Sequence, residues 1–239
     1  MLILGLNKTT LLDYPEHVAA TIFTGGCNLR CPFCHNRELV FARESIDAGM
    51  ITPYSEDEIL SFLKKRRGIL TGVCITGGEP TLHQDLPLFL SRIKELGMLV
   101  KLDTNGFHPD VLHHLLNEKL IDYCAIDIKN SPAHYADTVG LSSIDLGLLR
   151  ESVDCLLSLN GSFPYEFRTT IVKELHSEED MYAIREWIAG ADQYFLQSYT
   201  DSDQVISSGY HAHDTDTLQH FASICRQTIP NVQLRGIDL

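Results

Sequence analysis

Val18-Ala19-Ala20-Thr21-Ile22-Phe23-Thr24-Gly25-Gly26-Cys27-Asn28-Leu29-Arg30-Cys31-Pro32-Phe33-Cys34-His35 is the stretch on which the fold turns. Its first six residues are β-branched or apolar, a run short enough for a buried strand, and Thr24-Gly25-Gly26 supplies the turn that ends it. The strand therefore delivers Cys27 into a loop that carries three cysteines in eight residues, spaced CxxxCxxC. Further strand-like runs follow at 73–76, 99–102, 123–128, 167–172 and 194–196, six in all, after an irregular start. Between them apolar residues recur at helical spacing: Ile59, Leu60, Phe62 and Leu63 behind a capping box at Ser55; Leu86, Phe89, Leu90 and Ile93; Val111, Leu112, Leu115 and Leu116; Leu149, Val153, Leu156 and Leu157; Ile184, Trp187 and Ile188 behind Ser177. Strand alternating with helix predicts parallel strands joined by right-handed crossovers, hence an α/β open sheet or barrel.

The polar residues fall at one end of these strands. Cys27 follows the first, Thr76-Gly77-Gly78-Glu79-Pro80 the second and Asp103-Thr104-Asn105-Gly106 the third; Asp127 and Lys129 close the fourth, and Gln197 follows the sixth. In α/β folds this carboxyl end is where ligands bind, because the loops converge there while the strand bodies fill the core. The long stretch from Ser198 to Asp214, with Gly209, His211 and His213, exceeds what a connector needs and is a candidate binding loop.

The chain has 239 residues, 44% of them hydrophobic, and shows no linker or repeat, so one domain over 1–239 is expected. Nineteen Lys and Arg against 32 Asp and Glu give a formal charge of −13, a sign that repels a phosphate backbone and argues against nucleic acid. No apolar run approaches the roughly 18–20 residues of a spanning helix, which predicts no membrane partner and a cytoplasmic protein.

Seven cysteines, three of them crowded into one loop, do not resemble a disulfide framework; metal or redox chemistry fits better. Iron–sulfur clusters normally take four protein thiolates, so three leave one iron open to an outside ligand. A zinc site of Cys27, Cys31, Cys34 and His35 would need the adjacent Cys34 and His35 to bind one tetrahedral ion together, against the usual spacing. A CxxCH haem attachment or a CxxC redox pair, both within Cys31-Pro32-Phe33-Cys34-His35, leaves Cys27 unexplained. Cys74, Cys124, Cys155 and Cys225 lie among apolar neighbours and read as core. No Cys-rich insertion lies between Cys34 and Cys74, so no additional ferredoxin-like cluster is expected.

The cysteine loop together with Gly77-Gly78-Glu79-Pro80 resembles the radical S-adenosylmethionine superfamily. The run from Thr24 to Asn36, Asp103-Thr104-Asn105-Gly106 and Asp127-Ile128-Lys129 narrow the resemblance to glycyl-radical-enzyme activating enzymes, and Lys8-Thr9-Thr10-Leu11-Leu12-Asp13-Tyr14-Pro15 resembles activating proteins of anaerobic ribonucleoside-triphosphate reductase. The resemblance covers residue 8 to about residue 200 and implies a partial (β/α)6 TIM-like barrel. It further implies that Cys27, Cys31 and Cys34 hold a [4Fe-4S] cluster whose open iron is chelated by the methionine amino and carboxylate groups of S-adenosylmethionine. One electron, from a donor such as flavodoxin or ferredoxin, then breaks the S–C5′ bond, and the resulting radical takes a hydrogen from a glycine Cα of the partner, the reductase large subunit.

In that scheme Gly77 and Gly78, lacking Cβ atoms, let backbone approach the methionine group, and Glu79 suits its ammonium. Lys129 suits its carboxylate, and Asp103, Thr104 and Asp127 offer oxygens to a monovalent cation. Arg168, in a strand, is expected near the cofactor, with an ion pair to a neighbouring acid as the alternative. His35 and Asn36 are expected to shape the cluster loop. His211 and His213 are left outside the site. Two other readings remain: a radical enzyme acting on a small purine-derived molecule, against which the Asp103-Thr104-Asn105-Gly106 and Asp127-Ile128-Lys129 pair argues, and a zinc-stabilised interaction module.

Overall fold

The computed structural model describes residues 1–237, which form two compact units. The first comprises Met1–Asn28, Asn36–Thr104 and His108–Cys124; the second comprises Leu29–His35, Asn105–Phe107 and the chain from Ala125.

The first unit carries β1 (Ile3–Thr10), β2 (Ala19–Thr24), β3 (Gly72–Gly77) and β4 (Leu99–Thr104). The strands β2, β3 and β4 pair parallel in chain order, with Thr21 beside Cys74 and Cys74 beside Lys101. Their bodies are buried on both faces: Ile22, Val73, Ile75, Val100 and Leu102 share one face, and Thr21, Cys74 and Lys101 lie buried on the other, as strands covered by crossover helices do. The helix Glu56–Lys65 begins at the capping box expected at Ser55, whose hydroxyl accepts from Glu58 N–H while Glu58 returns to Ser55 N–H. It buries Ile59 and Leu63. Helix Leu86–Glu95 buries Leu86, Phe89, Leu90 and Ile93 on one stripe. Each such side chain contributes roughly 1.5–3 kcal/mol by leaving water.

The strand β5 (Tyr123–Asp127) gives its first two residues to the first unit and the rest to the second. The second unit adds β6 (Tyr165–Ile171), β7 (Tyr194–Ser198) and β8 (Val232–Arg235), again parallel and in chain order. Helices Leu146–Ser158, Glu178–Trp187 and Thr215–Cys225 bury Leu149, Val153 and Leu156, then Met181, Ile184 and Trp187, then Leu218, Phe221 and Ala222.

Two strands were not expected from the sequence, so the described residues hold eight where six were predicted. The start is not irregular: β1 pairs antiparallel with β2, but register shifts after Ile3 and after Asn7, and the exposed run Asn7–Thr9, break the alternation that would reveal it. The strand β8 spans four residues and buries only Val232, which leaves no pattern to read. Residues 199–214 contain neither helix nor strand, as expected, and helix Thr215–Cys225 follows them. Cys74, Cys124 and Cys225 are fully buried, whereas Cys155 is only half-buried, a difference from the core role read for it.

Candidate active site

In the first unit the turn after β2 is built against the turn after β3. Gly78 N–H donates to Thr24 C=O at 2.9 Å, and Glu79 N–H donates to Gly26 C=O at 2.7 Å. A Cβ on Gly77 would lie 2.3 Å from Thr24 N, and one on Gly78 would lie 2.0 Å from Gly26 O. The two glycines are therefore required for backbone to meet backbone, which seats the turn that carries Cys27; that contact is a reason for them additional to ligand access. Gly77 also holds φ +125°, where a side chain is strained. Asn36, just past the cysteine loop, donates through Nδ2 to Gly77 C=O at 3.2 Å, and His83 Nε2 lies 3.1 Å from Gly25 C=O.

Glu79 is buried, and its Oε1 accepts from Thr81 N–H at 3.1 Å, Thr81 Oγ1 at 2.5 Å and Thr104 Oγ1 at 2.7 Å. One carboxylate oxygen is thus fixed by three donors, and Thr104 of the Asp103-Thr104-Asn105-Gly106 segment is tied to the Gly77-Gly78-Glu79 turn. Asp103 accepts from the ammonium of Lys101, a lysine only 2% exposed that faces the Tyr123 ring. Lys101 was not singled out from the sequence; a lysine two residues before an aspartate on a buried strand was the available signal, since both side chains share one face.

In the second unit the Cys31–Cys34 loop is clamped from two sides. Arg30 N–H donates to Val139 C=O at 2.9 Å, and Gly140, at φ +69°, leaves room for Arg30 C=O, which a Cβ would meet at 2.4 Å. On the other side Ser207 N–H donates to Pro32 C=O at 2.8 Å and Ile206 N–H to Cys34 C=O at 3.2 Å. His35 Nδ1 lies 3.1 Å from Ser202 Oγ, and its ring packs on Tyr199 at 5.6 Å. The late segment expected to be a binding loop is thus seated on the cysteine loop, and its anchors are backbone groups that no side-chain motif announces. His211 pairs with Glu174 at 2.7 Å and His213 Nε2 donates to His176 C=O at 3.2 Å, so both anchor this segment.

Asp127-Ile128-Lys129 is held through its backbone. Ile128 N–H donates to Arg168 C=O at 2.8 Å, Thr169 Oγ1 donates to Ile128 C=O at 2.7 Å, Lys129 N–H donates to Tyr135 Oη at 3.2 Å, and His176 Nε2 donates to Lys129 C=O at 2.8 Å. The side chains gather as well: Arg168 Nε lies 2.8 Å from Asp127 Oδ1 and Lys129 Nζ 3.0 Å from Asp127 Oδ2. Burial opposes charge on Asp127, but Arg168 and Lys129 outweigh it and hold the carboxyl well below the ordinary range. Burial likewise opposes charge on Lys129, and Asp127, with smaller contributions from Cys31 and Cys34, reverses the balance so that the ammonium stays protonated.

Among the described residues no three His, Cys, Asp or Glu side chains are grouped closely enough to bind one ion. A four-iron cluster takes cysteine thiolates as its protein ligands, and Cys27, Cys31 and Cys34 would supply three. Cys27 and Cys34 are half-buried and Cys31 is buried, soft sulfur donors of the kind such a cluster takes.

Comparison with solved structures places the architecture. SuiB of Streptococcus suis bound to S-adenosylmethionine superposes with a TM-score of 0.66 over 89% of this chain at 16% identity, and QueE from Escherichia coli with 0.55 over 99% of this chain and 94% of its own at 15%. The chain spans about half the length of SuiB, 49% of it. The fold is that of the radical S-adenosylmethionine enzymes, an α/β partial TIM barrel. The sequence profile of the Radical SAM superfamily matches residues 21–146. A Methanocaldococcus jannaschii protein provisionally named a glycyl-radical enzyme activating enzyme is 32% identical, covering 99% of this chain and 97% of its own. The 7-carboxy-7-deazaguanine synthase of Thermococcus kodakarensis is 31% identical over 45% of this chain and 47% of its own. The chain belongs to the Radical SAM superfamily. It is an enzyme whose cofactors are a [4Fe-4S] cluster and S-adenosylmethionine. Among the described residues no helix is long and apolar enough to cross a membrane.

Proposed function

We propose that this chain, acting as one domain over residues 1–239, is an activating enzyme that places a radical on a glycine of a partner glycyl radical enzyme. The partner is the large subunit of anaerobic ribonucleoside-triphosphate reductase. The observation that carries the activase reading is the near full-length sequence likeness to the Methanocaldococcus jannaschii relative, whereas the 7-carboxy-7-deazaguanine synthase of Thermococcus kodakarensis matches in sequence over 45% of the chain. The choice of reductase rests on the resemblance of Lys8–Pro15 to its activating proteins.

In this reading Cys27, Cys31 and Cys34 hold the cluster, leaving one iron for the methionine amino and carboxylate groups. With cluster and cofactor bound, reductive cleavage of the sulfonium supplies the radical that takes hydrogen from the glycine, on one electron from a flavodoxin or ferredoxin. The chain's own residues bind and orient. The turn Gly77-Gly78-Glu79 would receive the methionine ammonium, with the Glu79 carboxyl group held in place by Thr81 and Thr104. Lys129 and Arg168 supply positive charge for the methionine carboxylate, balanced by Asp127. Asp103 adds a carboxylate whose charge Lys101 already offsets, so a monovalent cation there has to compete with an ammonium. Work in a cytoplasmic, oxygen-poor setting follows from this chemistry.

The test is to mix the anaerobically reduced protein, S-adenosylmethionine and an anaerobic ribonucleotide reductase, and to record the electron paramagnetic resonance spectrum. A glycine-centred doublet on the reductase is expected. Cofactor cleavage without any doublet on the reductase would refute the partner.

A further inference from the structure

On one face of the second unit's sheet, charged side chains alternate in sign. Parallel register sets Arg168 beside Phe195 and Phe195 beside Gln233, and residues two apart on a strand share a face, so Glu166, Arg168, Phe195, Gln233 and Arg235 lie together. Arg235 grips Glu166 with both terminal nitrogens, Nη1–Oε1 at 3.2 Å and Nη2–Oε2 at 3.1 Å, and its guanidinium lies 3.4 Å from the Phe195 ring centre. The Nη1 of Arg168 stands 3.8 Å from the same Glu166 Oε1, while its Nε is bonded to Asp127. Lys129 ends the series on the other oxygen of Asp127. Read from β8 inward, the order is cation, anion, cation, anion, cation.

Glu166 is the informative member, because its side chain is only 1% exposed. A carboxylate out of water is unfavourable unless its oxygens are engaged, and here two guanidiniums that do not deprotonate bracket it. Replacing its charge would remove the anion that Arg168 and Arg235 share. Arg168 would then turn, and Asp127 Oδ1 would lose its Nε donor. The bidentate grip of Arg235 fixes Glu166 in the plane that allows this, a geometry lysine does not reproduce.

We propose that Glu166 and Arg235 are positioning residues: they set the guanidinium of Arg168, which Asp127 holds from its other side, in the orientation that receives the carboxylate end of the cofactor. The proposal rests on the assignment of Arg168 and Asp127 to the cofactor made above. Neither Glu166 nor Arg235 touches the cofactor in this account, so their effect must pass through Arg168.

The experiment compares wild type, Glu166→Gln, Arg235→Lys, Arg168→Ala and the Glu166→Gln/Arg168→Ala double variant, each reconstituted anaerobically. Cluster content is read by iron analysis, cofactor dissociation constants by equilibrium dialysis, and the Arg168 Nε–H by nuclear magnetic resonance of the metal-free protein. Glu166→Gln should keep the wild-type iron content, weaken cofactor binding about tenfold, and broaden or lose the Arg168 Nε–H signal through faster exchange. Arg235→Lys, which keeps the charge, should show the same pattern at about threefold. In the Arg168→Ala background Glu166→Gln should change affinity no further, as two steps of one path do. Unchanged affinity in both single variants, or equal losses in the presence and absence of Arg168, would overturn the proposal. A wild type with its cluster that binds no S-adenosylmethionine would instead overturn the functional reading, and with it the purpose given to these residues; the Arg168 signal separates the two failures.

Discussion

At the scale of single residues the arrangement depends on a few polar groups taken out of water with their partners. Glu79 serves three donors through one oxygen, so Glu79→Ala strands Thr81 N–H and two threonine hydroxyls in a buried place. That change should lower unfolding stability by about 1–3 kcal/mol and weaken cofactor binding, while Glu79→Gln keeps most of the stability and loses the affinity; denaturant melts and equilibrium dialysis separate the two effects. Wild-type affinity recovered in Glu79→Gln would take the carboxylate charge out of the site.

His176 is buried between Val172 N–H, which donates to its Nδ1 at 3.0 Å, and Lys129 C=O, which accepts from its Nε2 at 2.8 Å. Burial lowers its pKa, so the folded state keeps the neutral ring while the unfolded chain takes a proton near pH ~6.5. Because the unfolded state then binds more protons, this contribution is present above that pH and is lost as pH falls below it. The stability gap between wild type and His176→Ala, measured on the metal-free protein in urea, should therefore narrow between pH 7.5 and pH 5.5, by at most about 1.4 kcal/mol. A gap that stays constant would show the ring is not held neutral.

At the scale of elements, turns packed on turns place the chemistry. Gly78→Ala would put a methyl 2.0 Å from Gly26 O and should displace the turn before Cys27, reducing iron uptake on reconstitution together with stability. Gly97→Ala, at φ +77° with open space around it, should cost only about 1 kcal/mol of backbone strain and leave iron uptake intact. Equal iron contents in the two variants would contradict the role given to the packed turns. Ser207→Pro removes the N–H that Pro32 C=O accepts and should speed loss of cluster absorbance in air, more than it lowers the unfolding midpoint. A cluster as durable as wild type's would detach the late segment from the cysteine loop.

Much of this was legible before any coordinates. The strand ending at Thr24-Gly25-Gly26, the capping box at Ser55 and the cap at Ser177 each carry their own local code, and the structure keeps all three. What escaped was non-local. The edge strands β1 and β8 lack a complete apolar alternation. The clamps on the cysteine loop use the backbone C=O of Val139 and the N–H groups of Ile206 and Ser207, groups that almost any residue supplies, and Lys101 and Glu166 declare their role only once their strands have neighbours.

At the scale of the whole molecule, the family, the cofactors and the near full-length likeness to an activating-enzyme relative agree on radical chemistry begun by one electron. The central claim is that three thiolates from this chain, and no fourth side chain, hold a four-iron cluster. The direct test is Mössbauer spectroscopy of protein reconstituted anaerobically with iron-57, recorded before and after adding S-adenosylmethionine. About four iron per chain are expected, with one iron site of four changing its parameters when the cofactor binds. Four sites indifferent to the cofactor, or a colourless protein holding one zinc, would contradict the account.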